Sequence, residues 1–273
     1  MNSSLVVLTD FFAVSNRALS YAAGLAVPLQ AHLVLLHVRH DGLLAPEQYR
    51  SHHTRQAEQH TTYALQQLAA QQPVPTAVEV TEEFLPDAVK EAVVRHHPLL
   101  LVLGRPGSAT TPEEVVVSTV MDLLRHAPYP LLVVPTVGWD AFPPRRLLLA
   151  VDGQPFRLYD HQDVLRHLLR ATDGTLNVVH VADDAHARPA DAAVLQTVSA
   201  SGLVDPLPAG SLHEVYQPTI VGGVLQEAAQ QQADMLVVVA RRHSLLGGLF
   251  HRSVTAQIIQ ESPIPVLLMP AED

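Results

Sequence analysis

The chain is written twice. The run Leu5-Val6-Val7-Leu8-Thr9-Asp10 returns as Leu147-Leu148-Leu149-Ala150-Val151-Asp152, 142 positions later. A second apolar run ending in His37-Val38 returns ending in His180-Val181, at an offset of 143. Near the ends of the two copies, Ala127-Pro128-Tyr129-Pro130-Leu131-Leu132-Val133-Val134-Pro135 matches Ser262-Pro263-Ile264-Pro265-Val266-Leu267-Leu268-Met269-Pro270, at an offset of 135. Every element keeps its order while the offset drifts slightly, which is a tandem duplication with small loop deletions. A chain built this way folds as two copies of one unit, and a 273-residue length suits two units of ordinary size.

Within each copy, short apolar runs alternate with helical patterns. Helices are expected around 16–27 and 86–95 in the first copy, and around 159–169 and 222–231 in the second. The strand candidates, including 31–38, 76–80, 99–103, 175–181, 212–215 and 235–239, are continuous apolar runs rather than alternating ones. Strands of that kind are covered on both faces, as in a parallel sheet between two helix layers. The expected fold is α/β: two tandem doubly wound domains, each a five-stranded parallel sheet with helices on both faces. The first spans 1–136 and the second 145–273. Between them, 137–144 (Val137-Gly138-Trp139-Asp140-Ala141-Phe142-Pro143-Pro144) reads as the linker, because its glycine and prolines cannot continue a helix or central strand.

Composition narrows the function classes. Hydrophobic residues at 48% are ample for buried cores, and a formal net charge of −10 argues against a nucleic-acid binder. The absence of cysteine excludes disulfides and thiol catalysis. Residues 1–8 carry no basic leader, and no apolar run approaches the ~20 residues that span a bilayer. A cytoplasmic protein with no membrane partner is the expectation. The only lysine is Lys90, so there is no Walker loop, and no Gly-x-Ser-x-Gly elbow occurs. The chain is read as a non-enzyme in which any ATP turnover is incidental.

In doubly wound sheets ligands lie at the carboxyl ends of strands, where the strand order reverses. Asp10, Val38 and Gly104 each fall at such an end. Gly104-Arg105-Pro106-Gly107-Ser108 opens a loop that leads to Ser118-Thr119, just ahead of a helical pattern from Val120. Glycines after a strand and hydroxyls at a helix start make an anion cradle, since N–H groups and the helix dipole both favour negative charge there.

These residues, together with the Arg-His-Ala-Pro-x-Pro-Leu-Leu-Val-Val-Pro ending at 125–135, resemble those of the universal stress protein family, and the whole chain resembles a tandem two-domain member. The resemblance implies an adenine nucleotide alpha hydrolase-like fold and a stress-response regulatory protein that binds an adenine nucleotide, ATP or AMP, in its N-terminal half. It implies Asp10 for the adenine, Val38 for the base or ribose, Gly104 and Gly107 for the phosphates, and Ser118 with Thr119 for a phosphate oxygen. It also implies that the halves pack as a pseudo-dimer through 131–134 and 266–269, and that a homodimer of whole chains forms. Val117 departs from the pattern by standing where the third glycine belongs, and its branched Cβ obstructs a backbone approach to phosphate. Pro106, Pro112 and Glu113-Glu114 add stiffness and negative charge to the loop.

The second copy departs further. Asp152 and Val181 keep their places, but Ala240-Arg241-Arg242-His243 replaces the glycines and His251-Arg252-Ser253-Val254 replaces the final Gly-Ser. Arg241, Arg242, His243, Arg252 and Ser253 have two readings: an anion patch in which cations stand in for backbone N–H groups, or solvated loop charges beside a helix cap. The histidines at 52, 53 and 60 lack the spacing that would make them metal ligands, and no metal site is expected. The alternative to nucleotide binding is a nucleotide-independent module with both phosphate loops degenerate, engaging an unknown protein partner.

Overall fold

The computed structural model describes residues 3–9, 13–38, 55–105, 113–136, 142–159, 163–182, 191–204, 207, 210–241 and 253–272, without the side chains of 13–16, 55–58, 113 and 191–192. The first copy runs β1 (Ser4–Thr9), α1 (Ala13–Ala26), β2 (His32–Val38), α2 (Arg55–Ala70), β3 (Thr76–Thr81), α3 (Leu85–His96), β4 (Leu100–Arg105), α4 (Glu113–His126) and β5 (Leu131–Pro135). The second runs β6 (Arg146–Val151), β7 (Arg157–Leu158), α5 (Val164–Thr172), β8 (Thr175–Ala182), α6 (Asp191–Ala200), β9 (Leu212–Tyr216), α7 (Ile220–Gln230), β10 (Met235–Arg241), α8 (Val254–Glu261) and β11 (Val266–Glu272).

The ten main strands form one sheet in the order β3-β2-β1-β4-β5-β11-β10-β6-β8-β9. Pairing within each half is parallel. The halves meet where β5 and β11 pair antiparallel, with Val133 opposite Val266, Leu132 opposite Leu267 and Leu131 opposite Leu268. Two five-stranded parallel sheets are thus edges of a single continuous one.

Successive side chains leave a strand on opposite faces, and here both faces are buried. Val6 and Leu8 join a core beneath α3, α4, α7 and α8, which also takes Leu131, Val133, Val266 and Leu268. Leu5 and Val7 join the opposite core beneath α1, α5 and α6, which takes Leu132, Val134, Leu267 and Met269. Each core therefore runs through both halves. No helix of the described residues is long and apolar enough to cross a membrane.

Four features were not anticipated from the pattern, the first being the helix α2 over Arg55–Ala70. The helix α6 was unassigned, its low amphipathic signal reflecting the small residues of DAAVLQTVSA. β7 is a two-residue strand that pairs antiparallel with the end of β11. The end of the expected linker is docked: the Phe142 ring meets Tyr21 edge-on, centroids 5.3 Å apart. It lies so close to Gly24 that a Cβ there would sit 2.5 Å from Phe142 Cζ.

At the amino edge, buried Asp234 anchors β6 to β10. Its Oδ2 accepts from the Arg145 and Arg146 amides, each at 2.9 Å, and its Oδ1 accepts from Arg146 Nη2 at 2.7 Å. Burial pushes the pKa of this carboxyl up, but hydrogen bonds from the Arg146 side chain and the two amides outweigh it and hold the group below its usual range. A lowered folded pKa gives stability that is present above the unfolded value, about 3.9, and lost as pH falls through the folded one. Asp234→Asn is expected to cost roughly 1–2 kcal/mol at pH 7. The difference from wild type should shrink below about pH 4, and urea unfolding at pH 7 and pH 3 measures both; a pH-independent difference would refute the assignment.

Candidate functional site

In each half the strand order reverses beside the first strand, between β1 and β4 and between β6 and β10. At the N-terminal switch point, Thr9 lies opposite His37, and Val7 lies opposite Val102, which brings Gly104 level with Thr9. The His37 ring donates from Nδ1 to the Thr9 carbonyl at 2.9 Å, tying the end of β1 to β2. Thr9, Val38 and Gly104 are buried at adjacent strand ends. The structure therefore brings Val38 and Gly104 to one edge, while Asp10 and Gly107 lie outside the described residues.

The hydroxyls are placed differently from the expectation. Ser118 and Thr119 lie inside α4, not at its start, and both donate to the Val115 carbonyl, at 2.9 and 2.8 Å. The cause is the apolar stripe, because Val116, Val117, Val120, Met121 and Leu124 all enter the core. That stripe carries the helix more than a turn upstream of the hydroxyls. Val117 is 2% exposed and is a core residue rather than a loop residue pressed against a phosphate. The helix instead spans Glu113–His126, and the Glu114 carboxylate in its first turn suits a helix N-terminus and repels a phosphate placed there.

The C-terminal switch point is filled by the chain itself. Arg241, at the end of β10, is 8% exposed. It donates Nε to Asp152 Oδ2 at 2.9 Å and Nη2 to Asp152 Oδ1 at 2.8 Å. It also donates to the carbonyls of Pro155 at 2.8 Å and Gln154 at 2.6 Å, and its guanidinium carbon lies 5.8 Å from the Phe156 ring centroid. The segment 152–158 crosses the end of β10 and pairs with β11 through β7, Leu158 opposite Ala271. Gly153 makes the turn possible at φ +76°, where an added Cβ would lie 3.1 Å from His180 Nε2.

The expected anion patch is corrected at Arg241, whose guanidinium is taken up by Asp152 and two carbonyls. Ser253 caps α8, its Oγ accepting from the Ala256 amide at 3.0 Å. Arg242, His243 and Arg252 lie outside the described residues, as do His52 and His53.

Arg105, the residue after Gly104, points across to the other half. Its guanidinium donates to the carbonyls of Ile259, Gln260 and Ser262 at the end of α8. At the sheet edge, Glu79 accepts from Arg95 at 2.8 Å and pairs with His96 at 2.7 Å. Burial pushes the Glu79 pKa up, and hydrogen bonds from Arg95 and His96 outweigh that and bring it below the usual range. Among the described residues no group of three histidine or acidic side chains could hold a metal ion.

The model of the universal stress protein family matches the chain twice, over residues 1–135 and 144–270. No curated protein sequence matches it significantly. Among solved structures, a universal stress protein from Archaeoglobus fulgidus DSM 4304 is similar at a TM-score of 0.64 and 18% identity, over 98% of each chain. A Pseudomonas aeruginosa UCBPP-PA14 protein assigned to the same family is similar at 0.61 and 16% identity, over 99% of this chain and 94% of that one. The cytoplasmic domain of a prokaryotic cation chloride cotransporter shares the fold at 0.54 and 10% identity, over 98% and 95%.

Because Asp152 is more than half exposed, its pair with Arg241 carries only a modest energy. A double-mutant cycle on Arg241→Met and Asp152→Asn is expected to give a coupling of about 1 kcal/mol in urea unfolding. A coupling of zero would mean that the segment 152–158 is held without this pair.

Proposed function

The chain belongs to the universal stress protein family, and on that premise we propose that it is a stress-response regulatory protein whose N-terminal half binds one adenine nucleotide without efficient catalysis. The contrast between the two switch points carries this reading. At the C-terminal one, Arg241 and the segment 152–158 occupy the edge where a ligand would lie. At the N-terminal one, Arg105 at the end of β4 donates to carbonyls of α8, and Thr9, Val38 and Gly104 stand at the adjacent strand ends.

In this reading Asp10 holds the adenine, Val38 offers backbone groups to the base or ribose, and Gly104 and Gly107 offer N–H groups to the phosphate. Ser118 and Thr119 have no part in it, since their hydroxyls serve the α4 backbone. The acidic opening of α4 disfavours each added phosphate, so AMP is preferred to ATP. The same opening supports the rival reading, a nucleotide-independent interaction module, because it places negative charge where a phosphate cradle needs the opposite.

Titration calorimetry with AMP, ADP and ATP separates the two. One site per chain is expected, with affinity falling as phosphates are added and heat lost in Gly104→Val. No heat with any of the three nucleotides on wild type would leave the rival reading standing.

A further inference from the structure

The segment 152–158 lies over the end of β10 as a thin strap. Asp152, Gln154, Pro155 and Arg157 are exposed, while Arg241 is buried. At its far end β7 joins the strap to β11 by two residue pairs, and the ion pair of Arg157 with Glu272 is exposed and 3.7 Å long. The near end is held by the Arg241 guanidinium, which takes the Asp152 carboxylate and the carbonyls of Gln154 and Pro155. Asp152 also accepts from the Gln154 amide at 3.0 Å, so the turn and the ion pair rest on one carboxylate.

A buried cation needs a partner, because losing it leaves the charge uncompensated. Here the partner's position opens to solvent, since the Asp152 side chain is 53% exposed against 10% for that of Arg241. Nε and Nη2 grip the two carboxylate oxygens side by side, at 2.9 and 2.8 Å. A guanidinium fork binds two oxygens of a phosphate group in the same bidentate way.

We propose that the strap closes an oxyanion site on Arg241, and that a phosphate group opens it by taking the place of the Asp152 carboxylate. This site is separate from any nucleotide held by the N-terminal half. In the wild type the tethered carboxylate competes at an effective concentration on the order of millimolar, so the site is autoinhibited and takes phosphate only where phosphate is plentiful. The displaced Asp152 side chain swings into water and gives up the Gln154 amide, which loosens the turn at Gly153.

Nuclear magnetic resonance of the Arg241 Nε–H group, followed through titrations with inorganic phosphate, AMP and adenosine at constant ionic strength, tests this on wild type, Asp152→Ala and Asp152→Asn. In Asp152→Ala the signal should shift and saturate, with a phosphate dissociation constant roughly ten-fold or more below that of wild type. Asp152→Asn, which keeps one uncharged acceptor for the guanidinium and preserves the shape of the turn, should fall between the two. Hydrogen exchange of peptides covering 152–158 should quicken with phosphate in wild type and be quick at every concentration in Arg241→Met. AMP binding tighter than inorganic phosphate makes a nucleotide the source of the anion, and equal or weaker binding makes it the free ion. An Arg241 signal that stays still in both Asp152 variants, or a shift reproduced by sodium chloride or adenosine, would overturn the site. A wild-type strap whose exchange ignores phosphate while Arg241 responds would overturn its role as the closure.

Discussion

The antiparallel pairing of β5 with β11 is the constraint on which the rest of the molecule depends. Three residue pairs there join two parallel sheets, and alternate side chains of both strands enter both cores. Without the pairing, each half would present an apolar edge strand to water, an arrangement that invites association with other chains. With it, helices from the two copies pack over shared cores, α3 and α4 beside α7 and α8 on one face. The same junction brings the end of β4 close enough to α8 for Arg105 to span the boundary.

Fusing two copies at one seam leaves their switch points free to diverge, and they have. The arginines that end β4 and β10 stand one register position apart, Ala240 being the counterpart of Arg105, and so face opposite sides of the sheet. One is spent on carbonyls of the other half, and one on a carboxylate of its own half. The choice at Arg241 depends on the segment 152–158. Gly153 allows the positive φ that starts it, Phe156 lies beneath the guanidinium, and β7 fixes its far end against β11. Among the described residues, the edge beside β10 is thus occupied by Arg241 and its partners in 152–158.

The candidate site was legible in part. The strand ends were readable because apolar runs stop abruptly at polar residues or glycine, and parallel topology sends every such end to one side. That placed Val38 and Gly104 correctly at the carboxyl edge. Ser118 and Thr119 were misplaced because the family spacing suggests a helix start, whereas Val116 and Val117 extend the buried stripe of α4 upstream of them. A 3.6-residue count carried back from Met121 would have found the earlier start. The role of Arg241 had no comparable signal, since its partners lie 86 to 89 positions away in sequence.

The sequence by itself determined the duplication, the alternation of elements and the parallel sheets, because those follow from local periodicity and from the order of apolar runs. The family resemblance implied that the halves meet through 131–134 and 266–269, and the structure pairs those strands antiparallel; only the tertiary structure decided that α4 extends back to Glu113 and where the two arginines go. Periodicity records which residues seek the interior. The partner that satisfies a guanidinium is set by which chain segments the fold brings within hydrogen-bonding distance, and at Arg105 and Arg241 those segments are remote in sequence.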